Sequence, residues 1–169
     1  MGCCANFIIF DITLKHRGMR LELYGQSNLN FVEFNITGDN DAYQRCDEES
    51  LYIDTEVFNL FTQCFERSNN LFDYFGPSRY NTRNIIPLLN ELQANLKRLN
   101  DINSLDFFID MIGNSFLGTN FIYDIEKHDK SWSLNWQQYC KKLAEINTGL
   151  INLVNKCIEE SRVLWVIGY

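Results

Sequence analysis

The chain has only two prolines, two histidines and nine glycines in 169 residues. So little proline and glycine excludes a collagenous, linker-like or low-complexity chain. So little histidine narrows the chemistry. A Ser-His-Asp or Cys-His arrangement must use His16 or His128, and neither lies beside a recognisable nucleophile. No G-x-S-x-G, G-x-x-x-x-G-K-[ST] or G-x-G-x-x-G occurs. The six cysteines (Cys3, Cys4, Cys46, Cys64, Cys140 and Cys157) include no C-x-x-C pair, which removes zinc-ribbon and thioredoxin-like readings. No apolar run approaches the roughly 20 residues of a membrane-spanning helix. The opening Met1-Gly2-Cys3-Cys4 resembles a double-acylation signal, but Asn6 stands where that signal needs Ser or Thr.

Basic residues are also scarce, with 15 Lys and Arg against 22 Asp and Glu. The tightest basic pairs are Lys97-Arg98 and Lys141-Lys142, both on helical patterns. Phosphate backbones are held by clustered cations, so nucleic acid is not an expected ligand. With no secretion signal and no disulfide framework, the expectation is a cytoplasmic protein with reduced thiols. No membrane partner and no cofactor is expected.

What the chain does have is acid, and the acid is local. Between Asp39 and Glu56 stand seven acids against Arg45, a net −6 in a chain of net −7. Asp39-Asn40-Asp41 begins like an EF-hand, but Gln44 takes the place of the glycine and Ser50 that of the closing glutamate. Asp54 or Thr55 can cap a following helix, and Glu56 suits its positive end. Asp39, Asp41, Asp47, Glu48 and Glu49 remain as an acidic loop.

At 46% hydrophobic residues the chain can build a sizeable core, and it reads as a single domain over 1–169. Period-two alternation marks three strands, around Ile8–Leu14, Met19–Tyr24 and Phe31–Thr37. Helical spacing follows over 55–67, where Val57, Leu60, Phe61, Cys64 and Phe65 share a face, and again over 82–100 and 104–115. A long helix covers 133–161, with Asn147 and Gly149 marking a bend. Residues 121–125 read as a strand. The uncharged ending Val163-Leu164-Trp165-Val166-Ile167 reads as a buried strand, in which Trp165→Ala costs about 3–5 kcal/mol. The fold class is therefore α+β: a mainly antiparallel sheet, made of an N-terminal three-stranded meander plus a C-terminal strand, covered by about four helices.

Two groups of acids could carry chemistry. Asp124, Glu126, His128 and Asp129 offer four possible metal ligands in six residues, and on a strand Asp124 and Glu126 face the same side. Asp106 and Asp110 are spaced i, i+4 on one helix, without a Glu-x-x-His partner. Neither matches a defined motif, so no catalytic or metal residue is assigned. Phe72, Tyr74, Phe75 and Tyr80 fall in a loop, where large aromatics often mark interfaces.

The expectation is a non-enzymatic acidic protein-binding domain. Its docking surface would be Asp39, Asp41, Asp47, Glu48 and Glu49 with Phe72, Tyr74, Phe75 and Tyr80. A basic protein is the implied partner. In character the chain resembles bacterial immunity proteins, which neutralise a cognate basic toxin, nucleases among them. No alignable stretch carries that resemblance. A metal- or carboxylate-dependent enzyme and a scaffold or oligomer subunit are the alternatives.

Overall fold

A computed structural model describes residues 20–23 and 31–168. The first expected strand, His16 and the Gly2-Cys3-Cys4 start lie outside the described residues; of the second expected strand, Met19–Tyr24, residues 20–23 are described and are not strand, a correction to the three-stranded meander.

Among the described residues there are four strands and six α-helices. In chain order they are β1 (Phe31–Asn35), β2 (Leu51–Asp54), α1 (Thr55–Phe58), α2 (Thr62–Ser68), β3 (Pro77–Tyr80), α3 (Ile85–Asn100), α4 (Leu105–Gly113), α5 (Gly118–His128), α6 (Trp136–Glu159) and β4 (Leu164–Gly168). The strands form an antiparallel sheet in the order β2-β1-β4-β3. The fold is α+β. The apolar chain ending is an interior strand, flanked by β1 and β3, which explains its lack of charge. Two further strands, β2 and β3, lie in segments whose sequence reads as loops. Each has four residues, too few for a period-two signal to stand out.

Register assigns the faces. Phe34 pairs with Leu51 and Val166, and Tyr80 with Leu164, so these side chains share the helix-covered face. There Phe34, Phe58 and Phe65 pack with ring centroids 5.0–6.1 Å apart. α3 and α6 complete that layer through Leu88, Leu92, Leu99, Leu143, Leu150 and Val154, all buried.

Local rules account for several boundaries. Ser104 caps α4 by accepting the Phe107 N–H at 3.2 Å. Pro87 falls in the first turn of α3, where its missing N–H is harmless. The helix expected over 55–67 is divided into α1 and α2, because Leu60 and Phe61 donate to the carbonyls of Val57 and Phe58, three residues back. Asp54 precedes α1 without a side-chain cap bond; its carboxylate accepts the Arg20 N–H instead.

The clearest correction is residues 121–125, which are helix, not strand. Phe121 and Ile125 are buried one turn apart on α5, so packing overrides the strand-like composition. Gly118 opens this helix because a Cβ there would stand 1.8 Å from the Ile112 carbonyl oxygen. The long helix expected over 133–161 is α6, which runs through Asn147 and Gly149 as one helix and is preceded by a 3-10 turn at Trp132–Leu134.

Candidate functional site

The face of the sheet away from the helices carries Glu33, Asn35, Tyr52, Trp165 and Arg79, by the same register. It is not open to solvent at its centre: Glu33, Asn35 and Tyr52 are all fully buried. The acidic loop, residues 36–50, folds back across it. Buried polar groups must find partners, and here the loop supplies several, from its backbone and from the Ser50 side chain. The Asn35 side chain donates to the Gln44 carbonyl at 2.9 Å and accepts the N–H groups of Thr37 and Gly38 at 3.1 Å. Both Glu33 carboxylate oxygens lie 3.0 Å from the Cys46 N–H, and the Ser50 hydroxyl donates to one of them at 2.7 Å. The Trp165 indole N–H donates to the Asp39 carbonyl at 2.8 Å, while its ring packs on Tyr43 with centroids 4.8 Å apart.

Within the loop the acids shape turns. One Asp39 carboxylate oxygen accepts the N–H groups of Asp41 and Ala42, both at 2.8 Å. Those two bonds, Asp41's first, hold the Asp39 carboxyl below its ordinary value of 3.8. Asp47 accepts the Glu49 N–H at 2.9 Å in the same way. Asp41, Glu48 and Glu49 project as exposed side chains. Glu49 lies 3.8 Å from Arg162, across a shallow cavity that Asp39 and Asn40 also line.

The expected aromatic group is placed differently. Tyr80 is fully buried, its hydroxyl donating to the Phe65 carbonyl at 2.8 Å, so it belongs to the core and not to a surface. Phe72 is half-buried against Phe58 and Phe65. Tyr74 and Phe75 do reach the surface, Phe75 at 83% exposure. They form an aromatic patch with Phe116, whose ring is 5.0 Å from that of Tyr74. This patch abuts Gly168, where a Cβ would stand 2.2 Å from the Tyr74 carbonyl oxygen. Gly168 and Trp165 are three residues apart on β4, about 10 Å along the strand. The acids and the aromatic patch thus lie at opposite ends of the sheet.

Tyr43 and Trp165 do adjoin the acidic loop. No sequence pattern marks Tyr43, and the apolar run 163–167 reads Trp165 as core. Trp165 lies on the outer face and is half-buried, so the 3–5 kcal/mol expectation for its loss is too large. Strand alternation was the available signal: Leu164 and Val166 face the helices, so Trp165 must face away.

The second candidate group does not assemble. On helix α5, Asp124 and Glu126 are two residues apart and point in divergent directions. Asp124 pairs with His128 at 3.8 Å, and Asp129 accepts the Tyr139 hydroxyl at 2.9 Å. Asp106 and Asp110 are exposed on α4. Among the described residues no three of His, Cys, Asp and Glu converge on a metal-sized space. Nor, among them, is any helix long and apolar enough to cross a membrane. Comparison of the chain with family models, curated proteins and solved structures finds no match.

Proposed function

We propose that this protein is a protein-binding domain that docks a basic partner on the 36–50 loop, in the manner of an immunity-type inhibitor neutralising a basic bacterial toxin. The observation that carries the reading is the way the loop is held. Asn35, Glu33 and Trp165 fix its backbone from the sheet below, while Asp41, Glu48 and Glu49 point outward. A loop ordered before binding loses less entropy on association. Clustered negative charge accelerates encounter with a basic surface and disfavours acidic competitors. The Tyr43–Trp165 pair supplies an aromatic anchor within an acidic surround, an arrangement typical of interface hot spots.

A nuclease domain is the favoured partner because nucleases are basic where they meet phosphate. The reading places the protein in the cytoplasm, where the buried Cys64, Cys140 and Cys157 stay as reduced thiols. Co-expression with a basic toxin nuclease domain, sought first in the reading frames neighbouring this protein's gene, tests the proposal. Growth is restored by the wild type and not by Asp41→Lys/Glu48→Lys, and the dissociation constant of the purified pair weakens steeply with salt. A tight partner that is neutral or acidic, bound equally at low and high salt, would overturn it.

A further inference from the structure

A cleft on the other side of Trp165 has the opposite electrical character. It lies between the 69–71 segment, β3 and the 81–84 turn that leads into α3, and has a volume of about 680 Å³, within the range of roughly 300–1,000 Å³ usual for small-molecule sites. Arg79, Arg83, Asn81, Thr82, Asn84 and Trp165 line it with Asn69, and no carboxylate among the described residues does. In a chain of net charge −7 an acid-free cleft with two arginines is a local reversal of sign.

The arginines differ in how they are held. Arg79 is fixed: its guanidinium donates to the Asn40 carbonyl and lies 5.9 Å over the Trp165 ring. Asn81 is fixed too, donating to the Asn40 side chain at 3.2 Å and accepting the Arg83 N–H at 3.1 Å. Arg83 itself is exposed and has no ion-pair partner among the described residues. A positioned guanidinium, a second one free to swing in, and side-chain amides able to donate form the donor-rich lining that oxyanions require.

We propose that this cleft binds an oxyanion, a phosphate or carboxylate group carried by a polar small molecule. Arg79 and Arg83 hold the charged oxygens, and Asn81, Thr82 and Asn84 hydrogen-bond the rest of the molecule. The proposal stands independently of the docking reading. Because Asn40 belongs to the acidic loop and holds both Arg79 and Asn81, an occupied cleft also bears on that loop's conformation.

The test is a titration of the full chain with inorganic phosphate and, separately, with citrate, followed by amide and indole NMR shifts at constant ionic strength with chloride as reference. Saturable shifts are expected at residues 79–84 and at the Trp165 indole, half-complete at or below about 10 mM. Arg83→Gln and Arg79→Gln should each weaken binding by about ten-fold or more, as the loss of a charge-assisted hydrogen bond does. Lys141→Gln, on distant α6, should leave it unchanged. Saturation by phosphate alone or by citrate alone identifies the oxyanion; either supports the proposal. Non-saturating shifts, shifts equal to those with chloride, or Arg83→Gln binding as the wild type does would overturn it. Arg83 is exposed, so its variant is expected to stay folded, and an unchanged spectrum elsewhere verifies that.

Discussion

The Trp165 indole N–H donates to the carbonyl of Asp39 at 2.8 Å, across 126 residues of sequence. This bond ties the interior strand β4 to the acidic loop, and the Tyr43 ring closes over it. Removing the indole therefore acts on the loop more than on the core. Trp165→Ala is expected to cost about 2 kcal/mol, below the range for a fully buried tryptophan. Trp165→Phe keeps part of the stack and loses the hydrogen bond. Chemical denaturation gives the stability change. Hydrogen exchange at residues 39–44 should accelerate in both variants and most in Trp165→Ala; unchanged exchange there would contradict the tether.

Charge reversal separates folding from docking. Asp41→Lys and Glu48→Lys alter exposed side chains, so each should shift stability by less than about 0.5 kcal/mol. Association with a basic partner should slow by about ten-fold at low salt for the double variant, with the difference shrinking as salt rises. Stopped-flow mixing at two ionic strengths reads this directly.

Asn95 and Asn147 form a buried amide pair between α3 and α6. Asn95 donates to Asn147 at 2.8 Å, and Asn147 donates to the Leu92 carbonyl at 2.9 Å. Asn147→Ala strands both of those groups and should cost about 2–3 kcal/mol. Replacing the two together, Asn95→Leu/Asn147→Leu, should cost less than the sum of the single changes, since the pair is removed as a unit. A double-mutant cycle in urea decides; strict additivity would show that the pair is not coupled.

Alkaline pH should weaken the fold in a defined window. Burial pushes the Cys64 thiol up to about 12 and the Cys157 thiol up to about 11, from 9.0. Burial also raises the Tyr52 hydroxyl to about 12, from 10.0. The neutral forms are favoured in the folded state, so the unfolded chain loses protons first as pH rises. Stability contributed by these groups is complete below pH 9.0 and declines above it, through the folded values. Denaturation midpoints should be flat from pH 7 to 9 and fall beyond. Cys64→Ala should show a shallower fall, whatever its stability at neutral pH.

At the acid end Asp39 behaves oppositely. Its carboxyl is held below 3.8, so its support of the turn is present above that pH and lost as pH falls through the lower folded value. A carboxyl titration by NMR should place its midpoint below 3.8. A midpoint at or above that value would mean the turn does not form in solution.

Much of the architecture was legible in the amino-acid sequence. Leu88, Leu92 and Leu99 keep helical spacing, so α3 could be read directly, and Ser104 announced the start of α4. The apolar run 163–167 could only be a buried strand. Residues 121–125 were misread because β-branched and aromatic composition suits a strand, while the deciding fact is a contact made by Phe121 and Ile125 with distant elements. The acidic loop was legible as a cluster of charge, but its aromatic neighbours were not. Proximity in sequence suggested Phe72 to Tyr80. The register of β4 against β1 and β3 brings Tyr43, Trp165 and Arg79 there and carries Phe75 to the other end of the sheet.

The sequence by itself determined the fold class, the ending strand and the local concentration of acid, because composition and short-range periodicity are properties of neighbouring residues. Only the tertiary structure decided which face Trp165 occupies, that Tyr80 is buried, and that an acid-free arginine cleft borders an acidic loop. Those relations depend on strand pairing between segments more than 80 residues apart, and no local pattern encodes the register in which such segments meet.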